Sequence, residues 1–319
     1  MVLIDLTFAK RIVQRFGLAN PTSVVPISGG VINQSYLFGL ADGTTWVCRV
    51  DVEDRGDKLA HEARVYRWLW DRAPGLPIAT AYHLDTGRDL LPSPYALLPR
   101  LPGSNLGIDI EHLPEHLRAT LLLAVGGLLR RLHELTDSAA SLVPHEHAHQ
   151  RWRQFVEVWF DEMLSRCESR LGYVPPWAPR ARAWMMERRS LVPEAPRRVF
   201  LHGDFHFGNL QYEVAPSPRV SGCFDLEWAW SGHATCDLLH IHEAIVRYPV
   251  YGAPFLAGYG LATWPEELSV YRLIHSISVL GVAVVEQPQP LWDLVAWHRQ
   301  VISNVITDRG AFVGLVPSY

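Results

Sequence analysis

The sequence holds only two lysines, Lys10 and Lys58, and carries the rest of its positive charge on arginine. A task that usually falls to lysine must therefore fall here to arginine or to one of these two. Cysteine is also scarce. Cys48, Cys167, Cys223 and Cys236 are widely spaced and form no C-x-x-C pair, which excludes a disulfide framework and a zinc ribbon. They are read as reduced and mostly buried. A basic excess is missing, with a formal net charge of -4, so nucleic acid is not expected as a partner. Long apolar runs are missing too. The longest, Leu121 to Leu129, is about half of what a membrane span needs. Asp5, Lys10 and Arg11 interrupt the early apolar stretch, so no signal peptide is read and a cytoplasmic location, away from membrane, is expected. Neither G-x-x-x-x-G-K-[ST] nor G-x-G-x-x-G occurs, and no internal repeat or low-complexity tract is visible.

What is present suits a globular protein of two packed lobes: 319 residues, 48% hydrophobic and 19% charged. Residues 5–16 have helical apolar spacing and precede Gly17. A β-rich stretch follows. Val24–Ile27 and Ile32–Phe38 read as strands around Ser28-Gly29-Gly30, and Asp42-Gly43 turns the chain into a third strand, Thr44–Val50. Residues 58–70 read as a helix that Pro74-Gly75-Leu76-Pro77 breaks, and short strands are expected near Ala79–Leu84 and Tyr95–Leu98. Pro99 to Gly103 reads as a linker. Residues 1–99 form the expected N-terminal lobe, and residues 100–319 the expected C-terminal lobe. Beyond the linker the chain is mostly helical, with helices over 115–135, 151–170 and 176–191 and more after Asp237. Residues 198–225 interrupt this pattern with two β runs, Val199–Leu201 and Val220–Phe224, around a polar turn.

That interruption carries the chemistry. Val199 to Leu239 places His202-x-Asp204, Asn209 and then Asp225 in strongly apolar surroundings. Phosphoryl transfer needs a carboxylate to orient and deprotonate an attacking hydroxyl, and oxygen ligands for the cation that bridges the phosphates. A D-x-x-x-x-N loop supplies Asp204 as base and Asn209 as metal ligand, and Asp225 on the next strand supplies a second ligand.

His202-Gly203-Asp204-Phe205-His206-Phe207-Gly208-Asn209 followed by Asp225-Leu226-Glu227 resembles the signature of the aminoglycoside phosphotransferase-like family. Asp237, before Leu238, matches that family's later helix-opening aspartate. The resemblance implies an α+β, two-lobed protein-kinase-like fold with a small β-rich N-lobe and a larger, mainly helical C-lobe. It implies Asp204 as base, Asn209 and Asp225 on Mg2+, Glu227 as a further metal or outer-shell ligand, and His202 and Asp237 bracing the catalytic loop. ATP or GTP would be the phosphoryl donor.

The upstream residues follow the same order. Ser28-Gly29-Gly30-Val31-Ile32-Asn33-Gln34-Ser35 lies between two predicted strands, where glycines let backbone N–H groups approach phosphate. It resembles the family's nucleotide-covering loop, so Ser28, Gly29, Gly30, Asn33 and Ser35 are candidate nucleotide contacts. Arg49 occupies the place of the strand lysine that holds the α- and β-phosphates, and Glu62 on the next helix is positioned to pair with it. Tyr95 to Arg100, including Leu98 and Arg100, resembles the hinge that meets the base.

His145, Glu146, His147 and His149 form a dense cluster after Pro144, and His112 and His116 stand four apart. No cysteine or carboxylate constellation completes a site there, so no functional metal is read. The acceptor is a small hydroxylated molecule. No dense acidic cluster follows Asp225. Instead Trp228, Trp230, Tyr248, Tyr251, Tyr259 and Trp264 are read either as helical core or as favouring a partly apolar acceptor such as an antibiotic. The alternatives are a kinase of a primary metabolite, an amino alcohol or a sugar, and a catalytically degenerate nucleotide-binding scaffold.

Overall fold

Leu6–Arg15 (α1) carries Ala9, Ile12 and Val13 on one face at i, i+3, i+4, and all three are buried. Asp5 caps this helix, its carboxylate accepting the Phe8 N–H at 2.8 Å. The computed structural model describes residues 3–27, 34–52, 57–136, 151–246, 249–283 and 292–307. By internal packing the chain divides into two units. One comprises Met1–Leu128 with His202–Ala229; the other comprises Leu129–Leu201 with Trp230–Tyr319.

In the first unit α1 covers an antiparallel sheet. Its strands are Pro21–Ile27 (β1), Gln34–Leu40 (β2), Thr45–Val50 (β3), His83–Asp85 (β4) and Tyr95–Pro99 (β5), in the order β1-β2-β3-β5-β4. The apolar face of α1 packs with Phe38, Cys48, Val50 and Leu97. Strand alternation sends Arg49, between Cys48 and Val50, to the opposite face. Lys58–Arg72 (α2) buries Leu59, Glu62, Ala63, Tyr66 and Leu69, so a carboxylate stands in the middle of an apolar stripe. Downstream, Ser104–Asn105 (β6), Leu210–Glu213 (β8) and Arg219–Cys223 (β9) form a three-stranded sheet beside the short helix Leu106–Asp109 (α3) and a 3-10 turn, Phe207–Asn209. Val199–Leu201 (β7), in the second unit, precedes this segment.

Glu115–Glu134 (α4) contains the point of division. The second unit is helical around Trp152–Leu171 (α5), Ala178–Arg188 (α6), Leu238–Val246 (α7), Gly252–Tyr259 (α8), Leu268–Ala283 (α9) and Trp292–Ile306 (α10). Trp230–Gly232 (β10) pairs with β7. Val156, Phe160 and Leu164 of α5 meet Tyr271, Ile274 and Ile277 of α9 and Val301 and Ile302 of α10 in its core. Trp152 donates from Nε1 to the Tyr271 hydroxyl at 2.9 Å, which satisfies both buried polar groups.

The structure moves several sequence boundaries. The strand expected near Ala79–Leu84 is His83–Asp85, and the helix expected over 176–191 ends at Arg188, before a 3-10 turn, Arg189–Leu191. The run expected at Val220–Phe224 ends at Cys223 because Asp225 adopts a left-handed backbone. Strands β6, β8 and β10 were not anticipated. They are two to four residues long, too short for alternation to mark a strand in the sequence.

Candidate active site

Every described candidate for base, metal and nucleotide belongs to the first unit. The loop begins at His202, which is fully buried. One tautomer accounts for both of its contacts: Nε2–H donates to the Phe224 carbonyl at 3.0 Å, and Nδ1 accepts the Asp204 N–H at 3.3 Å. His202 therefore ties the backbone at Asp204 to the residue just before Asp225. Gly203 has φ +82, and a Cβ there would lie 2.1 Å from the Trp228 carbonyl oxygen, so no other residue fits without displacement.

Asn209 closes the loop. Its Nδ2 donates to the Asp204 carbonyl at 2.9 Å and to Asp204 Oδ2 at 3.2 Å. That commits the amide nitrogen and leaves the carbonyl oxygen as the atom a cation could take. His206 lies inside the loop motif. Its Nδ1 accepts the Gly208 N–H at 3.0 Å, which directs Nε2–H to Asp204 Oδ2 at 3.5 Å. Asn105 supports the turn from β6, with Nδ2 donating to the Gly208 carbonyl at 2.7 Å.

Asp225 follows at φ +66, an uncommon conformation for a non-glycine residue and a mark of a constrained position. Its carboxylate is about one-third exposed. The segment after it is held by α2 at two points. Leu226 N–H donates to Glu62 Oε1 at 3.0 Å, and His61 Nε2 meets the Ala229 carbonyl at 2.6 Å. Burial pushes the His61 imidazole below its ordinary range, which suits a neutral donor.

Arg49 gathers the acids. Nη1 donates to both oxygens of Glu62 at 2.8 Å, and Nη2 donates to Asp225 Oδ1 and Glu227 Oε2, each at 2.8 Å. Burial opposes its charge, but Glu62, Asp225 and Glu227 outweigh burial and hold the guanidinium well above its ordinary value. Burial pushes the Glu62 carboxyl up, and Arg49 works against that. Tyr82 O–H also donates to Glu62 Oε2 at 2.7 Å, so each Glu62 oxygen accepts two hydrogen bonds. A carboxylate, which only accepts, meets that pattern. Lys58 has its Nζ 3.4 Å from Glu227 Oε1 and 3.3 Å from the centroid of the Trp228 ring. Glu227 is thus held between two cations.

Ser35 and Ala96 stand directly opposite Arg49 on the neighbouring strands, and Leu98 stands opposite Val47. By pairing and alternation, Ser35, Leu37, Val47, Arg49, Ala96 and Leu98 share one sheet face. Leu37 and Val47 on that face are only partly buried, and the sequence reading passed over both. Arg100 is exposed, with its N–H donating to the Thr45 carbonyl at 2.9 Å and its side chain reaching the Gly103 carbonyl. The structure thus brings together Ser35, Arg49, Leu98, Glu62, Asp225 and Glu227 along the sheet and α2, and His202, Asp204 and Asn209 in the loop. Ser28, Gly29, Gly30 and Asn33 lie outside the described residues, as do the His145–His149 cluster and Tyr248. Asp237 lies in the second unit, where His133 meets its Oδ2 through Nε2 at 3.2 Å and meets the Tyr259 hydroxyl through Nδ1 at 2.7 Å. Lys58, Tyr82, His61 and Asn105 were missed as site residues. Only Lys58, one of two lysines, carried any sequence signal.

A sheet-borne arginine clamped by a helix glutamate, a D-x-x-x-x-N turn and an acid just past the following strand define the class: a phosphotransferase of the protein-kinase-like fold. The model of the phosphotransferase enzyme family matches residues 23–270, and the chain belongs to that family of small-molecule kinases. Solved structures share the fold at low identity. A crystal structure of a putative aminoglycoside phosphotransferase from Ralstonia eutropha is 15% identical with a TM-score of 0.69, the match covering 96% of this chain and 98% of that one. The GDP and kanamycin complex of APH(2″)-IIIa is 16% identical with a TM-score of 0.66, covering 95% and 99%. The macrolide 2′-phosphotransferase MphH from Brachybacterium faecium is 19% identical with a TM-score of 0.61, covering 95% and 97%. No curated protein matches the sequence.

Proposed function

We propose that this chain transfers the γ-phosphoryl group of ATP or GTP to a hydroxyl of a small molecule, an antibiotic or a related metabolite, with Asp204 as the base. The observation that carries the reading is the loop itself. Asn209 and His206 fix one oxygen of Asp204, and His202 ties its backbone to Phe224, the residue just before Asp225. Asp204 orients the acceptor hydroxyl and takes its proton as the hydroxyl oxygen bonds to the γ-phosphorus. The bond from that phosphorus to the bridging oxygen breaks, and the nucleoside diphosphate leaves.

The donor set fits a hard divalent cation. Asn209 offers its carbonyl oxygen and Asp225 a partly exposed carboxylate, both oxygen ligands of the kind Mg2+ requires. When bound, Mg2+ supplies charge stabilisation on the phosphates. In this reading Glu227 serves mainly to hold Arg49 and Lys58, and Asp225 and Asn209 are the ligands. The partly buried side chains of Leu37 and Val47, with Leu98, form the floor for the base, and Ser35 and Arg49 lie towards the phosphates. In this reading the nucleotide lies beside the Pro99–Gly103 segment.

GDP and kanamycin in one structural neighbour and the macrolide activity named for another support a nucleoside triphosphate donor and a hydroxylated antibiotic acceptor. The test is a coupled assay of ADP and GDP release against aminoglycosides, macrolides, nucleosides, sugars and amino alcohols. Acceptor-dependent release with one or more antibiotics is the expected result. Release that no acceptor stimulates would contradict the transferase reading.

A further inference from the structure

The second unit holds a cluster that phosphoryl transfer does not use. His240 and Glu243 lie one turn apart on α7, and His275 faces them from α9. One ligand atom from each converges within 4.8 Å of the others, and His275 Nε2 stands 3.9 Å from Glu243 Oε2. The His240 and His275 rings meet at 4.7 Å between centroids and 86° between planes, the edge of one ring against the face of the other. Among the described residues this is the one group of three or more His, Cys, Asp and Glu side chains that converges in this way.

We propose that His240, Glu243 and His275 form a site for a borderline transition-metal ion of the Zn2+ class, which pins α7 to α9. Two imidazoles and one carboxylate are a three-ligand zinc set, with a further position left for water. Nitrogen donors also separate this site from the oxygen ligands Asn209 and Asp225, which suit Mg2+. Zinc ligands at about 2.0–2.2 Å from the ion stand roughly 3.3–3.5 Å apart. The present 3.9 Å between His275 and Glu243 needs an adjustment of about half an ångström, the pairs with His240, which lie within 4.8 Å, need up to about 1.5 Å, and all three residues are only partly buried. A second layer is in place. The buried His298 on α10 packs its ring edge-on against His275 at 5.6 Å and meets Ser276 Oγ at 3.1 Å, which restricts the His275 ring plane. Arg272 is the group whose charge works against a cation here. It is buried on α9, and burial lowers its guanidinium to about 10, while the Glu243 carboxylate works against that and favours the charged form.

Zinc and cobalt titrations of the metal-stripped full chain test the site. The wild type is expected to take up one equivalent of zinc, to gain thermal stability with it, and to give the visible Co2+ spectrum of a low-coordinate nitrogen site. His275→Ala and His240→Ala should each weaken zinc binding by more than the roughly tenfold that loss of an outer-shell partner costs, and should abolish the cobalt spectrum. Glu243→Gln should weaken binding and keep the imidazole signature. The competing site is His145-Glu146-His147-Ala148-His149, which also has the H-E-x-x-H spacing. Replacing its three histidines with alanine should leave zinc affinity unchanged. A wild type that takes up no zinc would overturn the proposal, as would affinity that survives both His240→Ala and His275→Ala or follows the 145–149 histidines.

Discussion

Arg49 donates to three carboxylates at once, and an arginine can do so because its planar fork presents several N–H groups in fixed directions. Removing it leaves Glu62, Asp225 and Glu227 to repel one another in a largely buried setting. Arg49→Ala is therefore expected to lower unfolding free energy by about 3–5 kcal/mol in urea denaturation, the scale for breaking a buried ion pair from one side. Arg49→Lys should recover part of that and not all, since one ammonium cannot reach both Glu62 oxygens and Nη2's two partners. The double variant with Glu62→Ala should be clearly less destabilised than the sum of the singles. Additive losses, or an Arg49→Ala chain as stable as wild type, would remove the clamp from the account. The pairing of Arg49 with Glu62 could be anticipated from a basic residue on a strand and an acid on the next helix. The reach of Arg49 to Asp225 and Glu227 could not, because it joins residues more than 170 positions apart through tertiary packing alone. Lys58, Tyr82 and His61 were hidden for the same reason.

At the scale of elements, two backbone conformations aim the site. Gly203 needs φ +82 and sits against the Trp228 carbonyl, so Gly203→Ala should cost at least the roughly 1–3 kcal/mol of a strained backbone position, with reduced turnover from a displaced Asp204. A stable and fully active Gly203→Ala chain would show that this approach is not required. Asp225 at φ +66 can be replaced by asparagine, which tolerates the left-handed region, without losing the turn. Asp225→Asn should fold normally and raise the Mg2+ concentration needed for half-maximal activity; an unchanged Mg2+ dependence would take Asp225 out of the metal site. A third prediction concerns Asp85, which joins β4 to α1. Burial raises the Asp85 carboxyl, but the Gly87 N–H, the Tyr95 hydroxyl and Arg15 outweigh it and hold it below its usual range. A depressed carboxyl stabilises the fold above its unfolded pKa of about 3.9 and loses that contribution as pH falls through the native value. Asp85→Asn should therefore lower Tm at pH 7, with the gap to wild type closing below about pH 4. A gap that is the same at every pH would contradict this. The long periodic helices and the β2–β3 hairpin were legible because they repeat a pattern over many residues. The short strands β6, β8 and β10 were not, since their pairing depends on partners far along the chain.

At the scale of the molecule, all the described candidate residues for nucleotide, metal and base lie in one unit, although its two stretches of chain are separated by more than 70 residues. Nucleotide with Mg2+ should therefore stabilise the chain by linkage, by about 2.7 kcal/mol when ligand stands at 100 times its Kd. The candidates Asp204, Asn209 and Asp225 could be picked out in the sequence because they fall within one loop and just past the strand hairpin that follows. The central claim is that Asp204 is the base of a phosphotransferase. Its most direct test is acceptor-dependent nucleoside diphosphate release by Asp204→Asn beside wild type, with nucleotide affinity measured by calorimetry on both. The account predicts turnover lower by at least the about 10²–10⁴-fold that general-base catalysis is worth, with nucleotide affinity nearly unchanged. Turnover within tenfold of wild type would contradict it.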